Sequence, residues 1–321
     1  MPVESQTMRV GDTTIEDTFA EAFRMWAARL IVTAADDYWV DVASREATGY
    51  GTSVIGCDAE AGVERRLSPD DTPDMRPGAA LLFFAFNAKT LAKALPNRVG
   101  QCLMTCPTSA VYDGMVDGFT KQNPDDTARI DVGKSIRFFG DGFQKSKVVM
   151  IDDRQRRLWR IAVMDGEFVV EDDVGAIKAI GGGNFLIGAT SQRAGLMAAR
   201  RAVDAIATLH DVITPFPGGV VRSGSKVGSR YKTMFASTND AFCPTLRDQT
   251  DTQLHDDVNC VYEIVINGLS EIAIAGAMRT GIEAAAGQGV VDISAGNYGG
   301  KLGKFHFQLH KVMAPAKSET A

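Results

Sequence analysis

Glu263 has the most telling setting for chemistry in this chain. It lies in CVYEIVIN (260–267). Strand alternation puts Cys260, Tyr262, Ile264 and Ile266 on one face, and Val261, Glu263, Val265 and Asn267 on the other. A lone carboxyl thus sits between valines on a strand that reads as central. Two readings stand. Either a lysine or arginine pairs with it across the sheet, or it is a desolvated acid. Moving a glutamate from ~4.3 to above 7 takes ~3 pH units, about 4 kcal/mol, which burial can supply. An acid kept neutral in this way donates a hydrogen bond to a developing oxyanion or protonates a departing amine.

Basic residues gather upstream. RSGSKVGSRYK (222–232) holds Arg222, Lys226, Arg230 and Lys232 without an acid. It is either a solvated loop or an anion cradle, in which amides and cationic heads meet carboxylates or phosphate. The candidate substrate contacts begin in the turn before it, with Phe216, Gly218 and Gly219, and continue through Ser223, Lys226 and Arg230. In STNDAFCP (237–244), Asn239 and Asp240 either orient a heterocycle or build Asx turns. AGNYGG (295–300) has the same ambiguity. Asn297, Tyr298 and the following Lys301 complete the candidate set, with Tyr298 available for stacking.

Other chemistries fit poorly. GGGN (181–184) and GNYGGKLGK (296–304) do not match the phosphate-loop pattern, and Gly49 and Gly51 are followed by Val54 where a dinucleotide fingerprint needs its third glycine. Ser223 and Lys226 have SxxK spacing without its companion motifs. Five cysteines form no CxxC pair, which suits reduced thiols. The histidines are His210, His255, His306 and His310. His306 and His310 sit in FHFQLHK, which alternates like a strand and reads as a surface or interface pair. No metal site is expected.

Composition narrows the class. The 321 residues carry 34 Lys+Arg against 40 Asp+Glu, a formal charge of −6, which disfavours a nucleic-acid binder. With 45% hydrophobic and 23% charged residues, the chain can bury a core and is not disordered. MPVESQTMRVGD lacks the features of a signal peptide. The longest apolar run, Ala79 to Phe86, is too short for a bilayer, which needs ~20 residues. A cytoplasmic protein without membrane association is expected.

The elements that must position these residues fall into two α+β lobes. In the second half, GNFLIGA (183–189) reads as a strand and 191–209 as a helix capped by Ser191. Strands follow at VIT (212–214) and GVVRS (219–223), then a polar insertion over 224–258. CVYEIVIN is a strand, 269–286 a helix, and GVVDISA (289–295) and KFHFQLH (304–310) are strands. The order is β-α-β-β-α-β, a split βαβ unit.

The first half repeats that order more loosely. A helix is expected over Asp17–Ile31, where Phe19, Phe23, Trp26 and Leu30 share a face. Strands are expected at YWVDVASR (38–45), YGTSVIGC (50–57), GAALLFFAF, LMT and SAVYD, with a helix over Lys89–Arg98. SIRFF, KVVMI, RLWRIAV and EFVVE add strands. A faint echo joins GTSVIGCDAEAG (51–62) to GNFLIGATSQRAG (183–195). The expected boundaries are an N-terminal lobe over 1–165, a C-terminal lobe over 166–310 and a flexible tail over 311–321.

Longer strings carry a resemblance. They are IEDTFAEAF (15–23), EATGYGTSVIGC (46–57), GQCLMTCPTSAVYDG (100–114), FFGDGFQ (138–144), GEFVVEDDVG (166–175), GGGNFLI (181–187), PFPGGVVRSGSKVGS (215–229), STNDAFCPT (237–245), CVYEIVINGL (260–269) and SAGNYGGKLGKFHFQLH (294–310). Through them the chain resembles the formylmethanofuran:tetrahydromethanopterin formyltransferases. The resemblance implies formyl transfer between N5 of tetrahydromethanopterin and the amine of methanofuran or methylofuran. It implies two ferredoxin-like lobes with antiparallel sheets and a homotetramer. Both coenzymes act as cosubstrates, with no tightly bound cofactor.

The family's catalytic glutamate falls in the strand matching CVYEIVINGL and maps to Glu263. The charge and the abundant Met and Ala favour the bacterial form of methylotrophs. That form serves one-carbon metabolism and formaldehyde oxidation as one subunit of a formyltransferase/hydrolase complex, whose other subunits hydrolyse the formyl group. Two rivals stand beside this reading: a scaffold subunit that binds coenzyme without catalysis, and a hydrolase of the formyl group, which the sparse histidines disfavour.

Overall fold

The structure, a computed structural model, describes residues 8–115 and 124–314. The chain forms two compact units, Met25–Ala179 and Met1–Arg24 with Ile180–Ala321. Each is built on a β-α-β-β-α-β frame, so the α+β class with two ferredoxin-like lobes holds. No helix among the described residues is long and apolar enough to cross a membrane.

In the Met25–Ala179 unit, the frame begins with the later part of strand Phe19–Thr33 and helix Asp37–Thr48. Strands Glu60–Leu67 and Gly78–Ala85, helix Ala88–Arg98 and strand Ala110–Asp113 follow. Antiparallel pairing sets the order Ala110–Asp113, residues 25–33, Gly78–Ala85, Glu60–Leu67. GAALLFFA is buried throughout, as expected for an unbroken apolar run in a central strand. A meander of Lys145–Ile151, Arg154–Val163 and Gly166–Glu171 extends the sheet from Ala110–Asp113.

Several first-half expectations are corrected here. The segment expected as a helix over Asp17–Ile31 is instead strand Phe19–Thr33. From Met25 onward most of its residues are buried on both faces, which hides the two-residue period and lets large side chains mimic a helical stripe. YWVDVASR is helical, within Asp37–Thr48. Its buried Val40, Ala43, Ser44 and Ala47 follow helical spacing, and Asp36 caps it by accepting from the Trp39 amide. The aromatic, β-branched start YWV disguised that period.

YGTSVIGC forms turns, closed by Gly51 N to Thr48 O and Cys57 N to Ser53 O bonds. LMT completes a π-turn after helix Ala88–Arg98 and the tight turn beyond it. SIRFF is a helical turn followed by a 3₁₀ turn. The echo between 51–62 and 183–195 therefore joins a turn to a strand, and marks no structural repeat.

In the other unit the frame is residues 180–189 of strand Asp173–Ala189, helix Gln192–Ile206, the short Val212–Ile213, Cys260–Gly268, helix Glu271–Ala285 and Val290–Ser294. The strand order is Val290–Ser294, residues 180–189, Cys260–Gly268, Val212–Ile213, all antiparallel. Thr13–Ile15 then adds in parallel beside Val290–Ser294. Ser191 caps its helix as expected.

The helices cover the sheet face of Phe185, Ile187, Ile264, Ile266 and Ile293. The alternate residues, Asn184, Leu186, Gly188, Val261, Glu263, Val265, Asp292 and Ser294, occupy the opposite face. Two expectations fail in this unit. GVVRS is no strand: after the Pro217–Gly219 turn, Val221 makes a single bridge to Glu263. KFHFQLH is a strand only over Phe305–Gln308, and Leu309–Met313 is helical, so His306 and His310 share no strand face. The rest of the expected tail lies outside the described residues.

Candidate active site

Glu263 is fixed through its backbone on both sides. It pairs with Leu186 on one neighbour, and on the other exchanges two 2.8 Å hydrogen bonds with Val221. Its side chain rises on the helix-free face. There the chain leaving Val221 turns at Gly224, in a left-handed conformation with φ of +51°. A β-carbon on Gly224 would stand 3.2 Å from Glu263 Oε2 and 3.6 Å from the Asn239 β-carbon. Glycine is thus what lets the loop close on the carboxyl.

Among the described residues, no hydrogen bond or ion pair reaches the Glu263 carboxyl. Of the two readings of this residue, the geometry fits the desolvated acid. Although the residue is half-buried overall, desolvation of its carboxyl pushes the pKa up to about 7.

The flanking loops are organised by local bonds. The Asn239 amide donates to Ser223 O at 3.2 Å, and Ser225–Val227 pairs with Ala236–Thr238 as a small hairpin. Lys226 Nζ is held by the Asp240 carboxylate. That bond keeps Asp240 below the usual carboxylate range. Tyr298 reaches the same hairpin, with its hydroxyl 3.5 Å from both Oγ and O of Ser225. Its ring packs on Phe23 at 5.9 Å between centroids.

Glu21, which the sequence reading missed, organises the loop that carries Tyr298. Its buried carboxylate accepts from the amides of Tyr298 (2.7 Å), Gly300 (2.9 Å), Leu302 (2.6 Å) and Gly303 (2.5 Å). Burial alone would raise its pKa, but the four amide bonds outweigh it and hold the group below the ordinary value. The signal was the same as for Glu263: a single acid between Ala20 and Ala22 in a buried row.

The remaining candidates have plainer surroundings. Asn297 Nδ2 ties its loop to Thr18 Oγ1 and Phe19 O. Gly219 packs on the Gln192–Ile206 helix, where a β-carbon would meet Val203 at 2.7 Å. Phe216 O accepts the Gly219 amide. Arg230 and Lys301 are exposed. Among the described residues, no hydrogen bond or ion pair joins Phe216, Gly218, Gly219, Arg230 or Lys301 to Glu263. Of the candidate loops, the Gly224 turn is the part set against the carboxyl, with the Asn239 β-carbon beside that turn.

Two ferredoxin-like units, one carrying among the described residues an unpartnered, desolvated acid beneath the Gly224 turn, define a two-lobed α+β protein. The comparisons sharpen this. Residues 8–163 match the family model described as formylmethanofuran-tetrahydromethanopterin formyltransferase, and 166–312 match its proximal lobe. The chain belongs to this family.

A formylmethanofuran–tetrahydromethanopterin formyltransferase of Methylococcus capsulatus is 54% identical, covering 96% of this chain and 100% of that one. One of Rhodopirellula baltica is 51% identical over 98% and 95%. The formyltransferase/hydrolase complex of Methylorubrum extorquens, solved with methylofuran, contains a chain 44% identical, with a TM-score of 0.90 and coverage of 96% and 99%. The Methanosarcina barkeri enzyme gives 47% identity, a TM-score of 0.87 and coverage of 95% and 100%.

Proposed function

We propose that this chain transfers a formyl group between N5 of tetrahydromethanopterin and the amine of a methanofuran-type coenzyme, with Glu263 as the acid. The accepting amine attacks the formyl carbon and a tetrahedral intermediate forms. Protonated Glu263 donates a hydrogen bond to its oxyanion; the proton lost by the attacking nitrogen passes to the departing amine, and the original C–N bond breaks as the formyl carbonyl re-forms. No covalent enzyme intermediate is needed. Holding the two cosubstrates together supplies much of the remaining rate.

One observation carries the acid role: among the described residues the carboxyl of Glu263 has no partner, and desolvation holds its pKa at about 7. The loops around it would seat the coenzymes, with Tyr298 stacking and Asn239 orienting the pterin or furan. Exposed Arg222, Arg230, Lys232, Lys301 and Lys304 suit the carboxylate tails of the coenzymes. Lys226 is less suited, because Asp240 already neutralises it.

The likeness to a formyltransferase/hydrolase complex supports work beside formyl-hydrolysing subunits. A homotetramer and a cytoplasmic setting complete the reading; the two family models meet near 165/166, whereas the compact units divide at Ala179/Ile180. The test is formyl transfer by the purified chain from formylated tetrahydromethanopterin to the furan amine, wild type beside Glu263→Gln. A folded, inactive variant supports the acid role. Wild-type turnover in the variant would move the chemistry elsewhere.

A further inference from the structure

Glu263 shares its sheet face with a second carboxyl. Asp292 lies on the same helix-free face, across Gly188 from Val261, roughly two strand spacings of ~4.8 Å and one two-residue step from Glu263. It is 7% exposed, and its Oδ1 is buried without a hydrogen-bond partner. A polar atom in that state is costly unless something else satisfies it. Gly188 makes the arrangement possible, since a β-carbon there would lie 2.1 Å from Asp292 Oδ1.

Two further ligating groups converge on this acid. His255 Nε2 stands 3.0 Å from Glu16 Oε1. One ligand atom from each of Glu16, His255 and Asp292 lies within 4.8 Å of the others. Each backbone is pinned. The Glu16 amide donates to Ile293 O at 2.9 Å. His255 O accepts from the Val258 amide at 3.0 Å and from Arg247 Nη1 at 3.2 Å. The three residues come from the end of the first strand pair, the polar insertion and strand Val290–Ser294.

We infer that Glu16, His255 and Asp292 form a binding site for a divalent transition-metal ion of the zinc class. One imidazole and two carboxylates favour such an ion over magnesium, which prefers oxygen ligands alone and retains its waters. Ligand bonds of ~2.0–2.2 Å require small inward rotations of side chains whose backbones are already held. The cation satisfies the orphaned Asp292 oxygen and offsets the two acids. It staples the end of the insertion to the sheet, on the face that also carries Glu263. The sequence reading considered metal only at His306 and His310; the structure brings a different histidine to two acids far away in the chain.

The test uses the full chain stripped with chelator. Zn²⁺ is titrated by calorimetry and Co²⁺ by its visible d–d absorption, with thermal melting alongside, for wild type, Asp292→Asn and His255→Gln. His255 is half-exposed, so its variant keeps the fold accessible to measurement if the buried change does not. The expected result is one equivalent bound, bleaching of the Co²⁺ bands by Zn²⁺, and a metal-dependent rise in Tm. Both variants weaken binding by about tenfold or more and lose the Tm rise. No saturable binding to folded wild type at millimolar metal would overturn the site, leaving an ion pair of Glu16 and His255. Binding and a Tm rise unchanged in both variants would overturn it too, placing the metal on other ligands such as the thiols.

Discussion

The Glu263 carboxyl and Gly224 stand so close that a single β-carbon on the glycine would come within 3.2 Å of Oε2. The proposed acid is therefore held in place by the absence of an atom. Among the described residues nothing bonds it; a turn of backbone fences it.

Gly224→Ala tests that relationship. The left-handed φ of +51° costs an alanine about 1 kcal/mol, and its methyl group crowds the carboxyl. The expected outcome is a folded protein, less stable by about 1 kcal/mol, with kcat down by about tenfold or more and KM little changed. Steady-state kinetics beside thermal melting check it. A fall in stability with unaltered kcat would separate the turn from the chemistry.

Glu263→Gln is expected to lower kcat by about 10²- to 10³-fold while stabilising the protein at alkaline pH. The folded pKa of about 7 lies above the ordinary glutamate value, so between those two pH values the native state binds more protons than the unfolded one. Wild-type stability therefore falls as pH rises through that window and levels off above 7. The difference amounts to about 3 kcal/mol, and the neutral amide escapes it. Melting curves should coincide at pH 4 and separate at pH 8.5, with the variant the more stable.

Wild-type turnover should follow the same titration in the same sense. In the proposed mechanism the protonated acid is the working form, so kcat is expected to decline as pH rises through about 7. A pH–rate profile that stays flat from 6 to 9, with chemistry rate-limiting, would contradict the assignment.

Glu21→Gln should loosen the Tyr298 loop. Four amides aim at this carboxylate, and a carboxamide turns its own donors toward some of them, costing about 2–3 kcal/mol. Because the folded pKa of Glu21 is depressed, its contribution is present above the unfolded value and fades as pH falls through the folded one. The stability gap between wild type and variant should be full at pH 7 and shrink below about pH 4. Coenzyme KM should rise more than kcat falls.

The exposed cations make a separable prediction. Lys301→Ala with Lys304→Ala should raise KM for carboxylate-tailed coenzyme and flatten its dependence on ionic strength. Lys226→Ala should change that dependence little, since its charge is already spent on Asp240. Kinetics between 50 mM and 500 mM salt distinguish the two.

The second half of the chain was legible because its elements keep their periods. CVYEIVIN alternates visibly, and the helix beginning after Ser191 repeats its apolar residues at helical spacing. The first half was not. Phe19–Thr33 is buried on both faces along much of its length, and a strand enclosed on both sides has no polar face to reveal its pleat. Glu263 stood out since an acid among valines is unusual in any local window. The partners of Asp292 did not, since Glu16 and His255 approach it only through folding, and no spacing in the sequence predicts their meeting.

Strand Thr13–Ile15, seated in parallel beside Val290–Ser294, bears on how the protein is made. Its residues leave the ribosome well before the strand they pair with. Met25–Ala179 has its whole frame in hand by mid-synthesis and can fold while translation continues. The unit that carries Glu263 must wait, with Thr13–Ile15 unpaired, until Val290–Ser294 has emerged. A nascent chain stalled short of residue 290 would hold one complete frame and another lacking its last strand.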